Sequence, residues 1–282
     1  MKLFDTHTHL DFACFDEDRE AVLARFQSIG GERILLAGVS HSQWAIAAEL
    51  CQRHAKLCMS VGFHPHFLES EDPIAVADIE ATSASDAISN GILRLSNLDA
   101  NQLQCQLAEA LEHYADHVVA VGECGLDKMV QTPMAEQLRV LEAQLAFAKQ
   151  VQLPVILHCR GAHNELLQCI SQRGVHSGVI HAFSGSVELA QEYIRRGFKI
   201  GVGGTISYAR AAKTRRAIAQ LPLTELLLET DSPDMPHEGF QGQRNEPYHC
   251  GNTIRQLAVL RDEDEETIAQ QLWQNAISLF EK

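Results

Sequence analysis

Short apolar runs rich in Val, Ile and Leu alternate with longer amphipathic stretches along the chain. The apolar runs predict eight strands: Lys2–His9, Arg33–Val39, Leu57–His64, Val118–Gly125, Pro154–Cys159, Gly178–Ala182, Phe198–Gly203 and Leu226–Thr230. Helical patterns lie between most of them, as in Glu17–Ser28, Gln43–His54, Thr132–Val151 and Ala162–Arg173. Such alternation predicts a parallel sheet. Eight units in 282 residues, with no linker, favour a closed (β/α)₈ TIM barrel over the alternative, an open doubly wound sheet.

The longest interval between predicted strands is Pro65–His117. Its small and polar run Ala81–Asn101 is interpreted as an insertion, and Gln102–His113 as a barrel helix. A final helix is expected beyond Asp262. Because single α/β barrels commonly have this length and no linker is found, we expect residues 1–282 to form one domain.

Composition narrows the class of protein. The net charge of −14 argues against a protein that coats duplex DNA, which needs a basic face, but not against an enzyme that holds nucleic acid through metal ions. The chain starts with the polar sequence MKLFDTHTHL, has no apolar run long enough to span a membrane, and has eight cysteines without a CxxC pair. These features predict a cytoplasmic protein with reduced thiols and no membrane association. No obligate protein partner is evident.

Histidines and carboxylates fall at the carboxyl ends of the predicted strands. They are His7, His9, His64, His66, Glu123, His158, His181 and Asp231. In a parallel barrel these strand ends share one face, which carries the chemistry. Because side chains alternate along a strand, His7 and His9 are expected on the same side, together with Asp5.

Taken singly, most of these residues have an ordinary structural explanation. Glu123 is the exception, because its flanks are apolar and an ionised carboxylate near a core needs a partner. A lone His-x-His pair occurs by chance on exposed strands, a single histidine is often a hydrogen-bonded core residue, and Asp231 could simply cap a turn before Pro233. The joint pattern is more specific. Apart from His64 and His66, which follow strand three, four histidines and two carboxylates end strands, and they are the ligand supply for two divalent metal ions.

The chain resembles the TatD family of metal-dependent deoxyribonucleases, within the amidohydrolase-like barrels. The resemblance covers essentially the whole chain. It rests on FDTHTHLDF, VGFHPH, AVGECGLD, LPVILHCR, VIHAFSGS, GVGGTISY, LLLETDSPDMP and the late RNEP, which occur in family order.

The resemblance implies a set of site residues. The implied metal ligands are His7, His9, Glu123, His158, His181 and Asp231. Glu123 would bridge the two metals, Asp231 would also accept the proton of the attacking water, and His64 would lie near the substrate phosphate. Arg244 to Glu246 match RNEP, for which structural support of the rim and a simple capped loop are equal alternatives.

These residues predict a hydrolase that cleaves phosphodiester bonds of DNA with a water activated by two metals, on single strands, ends or abasic sites. Arg160, Tyr208 and Arg210 are candidate substrate contacts, while Phe183 is expected to pack more than to stack a base. The two ions would be Zn²⁺, Mn²⁺, Fe²⁺ or, less naturally at imidazole, Mg²⁺. Two alternatives stay open: hydrolysis of an amide, lactone or ester, including an aminoacyl ester on RNA, and a non-catalytic partner protein on the same barrel.

Overall fold

A computed structural model of the chain describes residues 1–68, 95 and 98–281. The strands are β1 (Leu3–Thr8), β2 (Gly31–Leu36), β3 (Leu57–Val61), β4 (Val118–Asp127), β5 (Val155–Arg160), β6 (Gly178–Ile180), β7 (Phe198–Val202) and β8 (Leu226–Leu228). They form one parallel sheet in sequential order from β1 to β8. Beyond β8 the chain returns to β1, where Asp231 donates its N–H to the His7 carbonyl (2.9 Å) and His9 donates to the Ser232 carbonyl (2.7 Å). The predicted (β/α)₈ barrel is confirmed, and the sequential order excludes the doubly wound alternative, whose strand order reverses.

Helices follow the strands and cover the outside of the barrel. In the described residues they are α1 (Arg19–Ser28), α2 (His41–Arg53), α3 (Ala100–His113), α4 (Met134–Val151), α5 (His163–Arg173), α6 (Val187–Ile194), α7 (Ala212–Gln220), α8 (Cys250–Arg261) and α9 (Glu265–Phe280). The helix expected at Gln102–His113 is α3, which begins at a capping box between Asp99 and Gln102. The predicted insertion Ala81–Asn101 lies mostly outside the described residues.

The amino-terminal half of the barrel is filled with side chains. Seven strands each contribute one residue to this layer: Phe4, Leu35, Cys58, Ala120, Ile156, Val179 and Leu227. Ala276 and Phe280 of α9 join the same cluster and close that end of the barrel. The interior is therefore a packed core with its polar groups at the opposite end.

One sequence expectation about β1 is wrong. Asp5 does not share the surroundings of His7 and His9, because the pairing of β1 with β2 shifts register between Asp5 and Thr8 and the regular alternation breaks there. The Asp5 carboxylate accepts hydrogen bonds from the Thr230 hydroxyl (2.6 Å) and the Thr230 N–H (3.0 Å). Asp5 therefore ties β1 to the end of β8 and lies behind the histidine cluster.

Candidate metal centre

The carboxyl ends of five strands bring six side chains together. They are His7, His9, Glu123, His158, His181 and Asp231, whose nitrogen and oxygen atoms form overlapping groups with spacings suited to a metal ion. His7, His9, Glu123 and His181 are buried, whereas His158 and Asp231 are partly exposed to the cleft. Residues separated by 224 positions thus meet because the barrel closes between β8 and β1.

Glu123 lies at the middle of the cluster, and its two oxygens face different partners. Oε2 is 3.2 Å from His7 Nε2 and 3.5 Å from His9 Nε2. Oε1 is 2.8 Å from His181 Nε2 and 3.2 Å from His158 Nδ1. Asp231 extends the first group, since its Oδ1 is 3.4 Å from His7 Nε2 and 3.6 Å from His9 Nε2. One carboxylate therefore joins two groups of donors.

Neighbouring acceptors orient two of the imidazoles. His9 places Nδ1 3.1 Å from the Ala37 carbonyl, and His158 places Nε2 3.1 Å from Asp127 Oδ2. In the neutral ring each of these nitrogens carries the proton, so the other nitrogen would present its lone pair to the centre. Gly125 allows this arrangement in β4, since a Cβ there would lie 2.0 Å from the His158 carbonyl oxygen.

His64 differs from these two rings in its hydrogen bonding. Its Nδ1 accepts the N–H of His66 at 3.1 Å, so in the neutral ring the proton is on Nε2. That Nε2–H lies 3.3 Å from Glu123 Oε1. In this tautomer His64 faces Glu123 with a hydrogen-bond donor, whereas its distances alone would also suit a metal ligand.

The donor set fits divalent cations. Among the residues that the structure describes, His7 Nε2 lies close to both carboxylates but finds no hydrogen-bond partner with proper geometry, and His181 Nδ1 and His7 Nδ1 are also buried without one. Buried polar atoms without partners are costly, and a shared cation would satisfy the inward-facing nitrogen of His7. Imidazole nitrogens combined with carboxylate oxygens are typical ligands of Zn²⁺, Mn²⁺ and Fe²⁺.

The pKa values reflect the competition between burial and opposite charge. Burial would raise the pKa of Glu123, but the imidazoles of His181, His64 and His7 outweigh it and hold the pKa well below its usual value. Burial and the neighbouring His181 lower the pKa of His7 to about 4. At His181, burial is outweighed by Glu123, which raises the pKa to about 10. The same ring lone pairs would bind either protons or a metal ion.

The loop after β8 is fixed by a buried asparagine. Asp231 has a positive φ of 59°, an uncommon backbone conformation for a residue with a side chain. The Asn245 amide donates to the carbonyls of Thr230 (2.9 Å) and Asp234 (2.8 Å), on either side of Asp231. Arg244 pairs with Asp18 at 2.7 Å, and Glu246 with Arg25 at 2.8 Å. These contacts favour structural support of the rim over a simple capped loop as the role of the RNEP residues.

A buried carboxylate supports the neighbouring segment. Glu229, in the strand end that carries Asp231, accepts the N–H of Ala182 at 2.5 Å. Ala182 directly follows His181 and has a positive φ of 44°. Glu229 is thus placed to hold the backbone beside His181.

A cleft with a volume of about 680 Å³ opens above the cluster. Arg160 lines it and is exposed, whereas Tyr208 and Arg210 are not among the described residues that line it. Tyr208 instead donates its hydroxyl to the Pro236 carbonyl at 2.7 Å, and Arg210 lies over the Tyr208 ring. Phe183 is 3% exposed and packs in the core, as expected.

The sequence analysis assigned no role to two supporting residues, although the alternation of side chains places Glu229 on the side of strand eight that carries Asp231. Asp127 orients His158, and its place in β4, four residues after Glu123, is a signal that could have identified it. Glu229 likewise stands two residues before Asp231 at the same strand end. Both positions have the spacing of side chains on one face of a strand.

Comparison with known proteins agrees with this architecture. The sequence model of the family described as TatD related DNase matches residues 4–281. A relative from Escherichia coli (strain K12), the uncharacterized metal-dependent hydrolase YjjV, is 38% identical over 99% of this chain and 98% of its own length. Its crystal structure superposes with a TM-score of 0.83, covering 99% of this chain and 98% of that one.

A second relative bears a more specific name. The 3'-5' ssDNA/RNA exonuclease TatD of Pectobacterium carotovorum subsp. carotovorum (strain PC1) is 31% identical over 99% of both chains. Among the helices that the structure describes, none has the length and apolar character of a membrane span. The resemblance found in the sequence motifs is confirmed: the chain belongs to the TatD related DNase family of metal-dependent hydrolases.

Proposed function

We propose that this chain hydrolyses phosphodiester bonds of DNA, on single strands or strand ends, at a centre that holds two divalent metal ions. The observation that carries the proposal is that the two oxygens of the Glu123 carboxylate have different neighbours. Oε2 faces His7 and His9, whereas Oε1 faces His158 and His181. A carboxylate with two separate groups of imidazoles is suited to bridge two cations. A single-metal site would not need both groups.

The proposed ligands divide into two sets that share Glu123. His7, His9 and Asp231 would hold one ion with Oε2, and His158 and His181 would hold the other with Oε1. Two bound divalent ions would activate a water and stabilise the charge that develops on the phosphoryl oxygens. The nitrogen-rich donor set favours Zn²⁺, Mn²⁺ or Fe²⁺ over Mg²⁺.

The side chains then have separate tasks in the hydrolysis. Asp231 accepts the proton of the attacking water as the water oxygen bonds to phosphorus and the bond to the leaving oxygen breaks. The leaving oxygen takes up a proton from bulk water, and Asp231 returns its proton to solvent. His64 directs its Nε2–H toward the centre, where it can also donate to a phosphate oxygen. Arg160, exposed at the cleft wall, would bind the same phosphate by two N–H groups.

Support for nucleic acid as the substrate comes from the cleft and from the relative named as an ssDNA/RNA exonuclease. The cleft's volume of about 680 Å³ is within the range of small-ligand sites, so it suits one or two nucleotides better than a duplex. Tyr208 and Arg210 do not line the cleft, so they would contact only the part of a substrate strand that extends beyond it. We also propose a single domain over residues 1–282 and a cytoplasmic location, which the eight unpaired cysteines support.

The experiment is a substrate panel with purified protein loaded separately with Zn²⁺, Mn²⁺ or Mg²⁺. The panel contains single-stranded DNA labelled at either end, duplex DNA, abasic DNA, RNA, an aminoacyl ester and small lactones and esters. We expect metal-dependent cleavage of single-stranded DNA that disappears with chelator and in Asp231→Asn. Cleavage of lactones or esters without any cleavage of nucleic acid would show that the proposed function is wrong.

A further inference from the structure

An aromatic side chain lies beside the metal centre without belonging to the protein core. Phe12 follows β1, is partly exposed and lines the cleft. In the described residues it is neither part of the core clusters nor among the apolar side chains packed against them. Phe183, at the same mouth, is buried in that core. Packing therefore explains Phe183 but not the position of Phe12.

The position of Phe12 is fixed from both sides. Its N–H donates to the His9 carbonyl at 3.0 Å, and its own carbonyl accepts from Arg19 Nη2 at 3.3 Å. The ring stacks on His9 with centroids 4.8 Å apart and an interplanar angle of 20°. Phe67, which follows β3 and also lines the cleft, meets Phe12 edge-on at 6.5 Å. An aromatic surface thus extends from His9 along one wall of the cleft.

The charge of the cleft shows what this surface could contribute. Arg160 is the one Arg or Lys among the described residues that line the cleft, and the chain carries a net charge of −14. Phosphate pairing alone is therefore a weak source of affinity for a nucleotide outside the metal centre. Stacking on an aromatic ring is independent of net charge and tolerates every base.

We propose that Phe12, supported by Phe67, stacks the base of a nucleotide adjoining the phosphate at the metal centre. The inference rests on the proposed nuclease function and adds a subsite for an unpaired base. A base held in a duplex is already stacked and paired, so this subsite would select single strands and frayed ends. Because every base has a π face, little sequence preference is expected.

The test compares Phe12→Ala and Phe12→Leu with Phe240→Ala, which removes a phenylalanine 37% exposed outside this cleft. The substrates are a short oligothymidylate and two versions that lack one base, on either side of the scissile phosphate. Phe12→Leu keeps an apolar side chain against His9 but loses the ring. Metal content and melting temperature are measured for each variant, because Phe12 contacts His9.

For the metal-loaded wild type, we expect removal of one of the two bases to raise KM about 5- to 150-fold, the usual strength of base–aromatic stacking. Phe12→Ala and Phe12→Leu should raise KM for the intact oligonucleotide by a similar factor. They should have little effect on the substrate that lacks the stacked base, while Phe240→Ala should behave as wild type. Equal KM values for intact and base-less substrates, or an equal effect of Phe12→Ala on both, would overturn the proposal.

Oligonucleotide binding, measured by fluorescence anisotropy, separates this inference from the function on which it rests. The protein could cleave no oligonucleotide and yet bind the intact one more tightly than a version that lacks one base, with a difference that disappears in Phe12→Ala. In that case the base subsite stands and the nuclease proposal fails. If it cleaves all three substrates alike, the nuclease proposal stands and the subsite fails.

Discussion

Asn245 donates a hydrogen bond of 2.9 Å to the carbonyl of Thr230, the residue immediately before Asp231. A second bond of 2.8 Å reaches the Asp234 carbonyl, so one buried amide spans the turn that presents Asp231 to the centre. The positive φ of Asp231 is an uncommon conformation that such contacts can maintain. Asn245 is therefore placed to position Asp231.

Asn245→Ala is expected to reduce both stability and turnover. It removes the donor to the carbonyls of Thr230, Asp234 and, at 3.4 Å, Met235, which costs about 1–3 kcal/mol of unfolding free energy for each buried group left unsatisfied. It also frees the Asp231 turn, so kcat should fall more than KM rises. The measurements are chemical denaturation, metal content and steady-state kinetics.

Asn275→Ala is the matched control for that variant. Asn275 donates two bonds of 2.8 Å to the carbonyls of Leu223 and Leu226, at the opposite end of β8. The stability loss should be similar, while turnover of the folded protein stays near wild type. Equal effects of the two variants on kcat would mean that Asn245 has only a general structural role.

Asp231→Asn should retain the fold and lose most of the turnover. The amide has nearly the same shape but cannot accept the proton of the attacking water, and general-base contributions are about 10²–10⁴-fold. Asp16→Asn, at an exposed ion pair with Arg19, controls for the loss of one carboxylate. Turnover of Asp231→Asn within a few-fold of wild type would remove Asp231 from the proton transfer.

Asp127→Ala is expected to weaken metal binding without removing a proposed ligand. Asp127 Oδ2 lies 3.1 Å from His158 Nε2 and accepts its proton, which keeps His158 Nδ1 toward Glu123. Loss of such a partner typically costs 10–100-fold in metal affinity or activity. Asp127→Asn, which keeps an acceptor oxygen, should lose less.

Glu165→Gln is the control for Asp127, because Glu165 pairs with Lys128 at 2.7 Å and is not among the residues that surround the centre. Metal affinity is measured by competition with a fluorescent chelator. If Asp127→Ala binds metal as tightly as Glu165→Gln does, the orientation of His158 must depend on other contacts.

The barrel was predictable from the sequence because each strand carries its own apolar signal, and strand ends in a parallel barrel necessarily meet. The same rule predicted that Glu123 and Asp231 would lie close together. It could not foresee Asp5, whose neighbours depend on a register shift in β1. It also could not assign the ring proton of His64, which depends on the backbone N–H of His66. Such details depend on local backbone geometry, which residue spacing does not encode.

Glu123→Gln is expected to lower the metal content more than any single His→Ala change at the centre. Its Oε2 lies 3.2 Å from His7 Nε2 and its Oε1 lies 2.8 Å from His181 Nε2, so the carboxylate would serve both ions, whereas each imidazole would serve one. The amide removes one bridging oxygen and one negative charge, which leaves less to offset the repulsion between two close cations. Metal stoichiometry of Glu123→Gln, His7→Ala, His158→Ala and His181→Ala, purified alike without chelator, tests this order.

His64→Ala provides the matched control at the same carboxylate. His64 Nε2 is 3.3 Å from Glu123 Oε1, but its Nδ1 accepts the N–H of His66, so the ring is expected to donate a proton and not to bind metal. This variant should therefore keep two metals per chain and lose turnover, whereas the metal content of Glu123→Gln should fall to about one ion per chain. If Glu123→Gln keeps two metals while a histidine variant drops to one, Glu123 is not the bridge. If His64→Ala loses a metal, His64 must be counted as a ligand, and the tautomer inferred from its backbone contact is wrong.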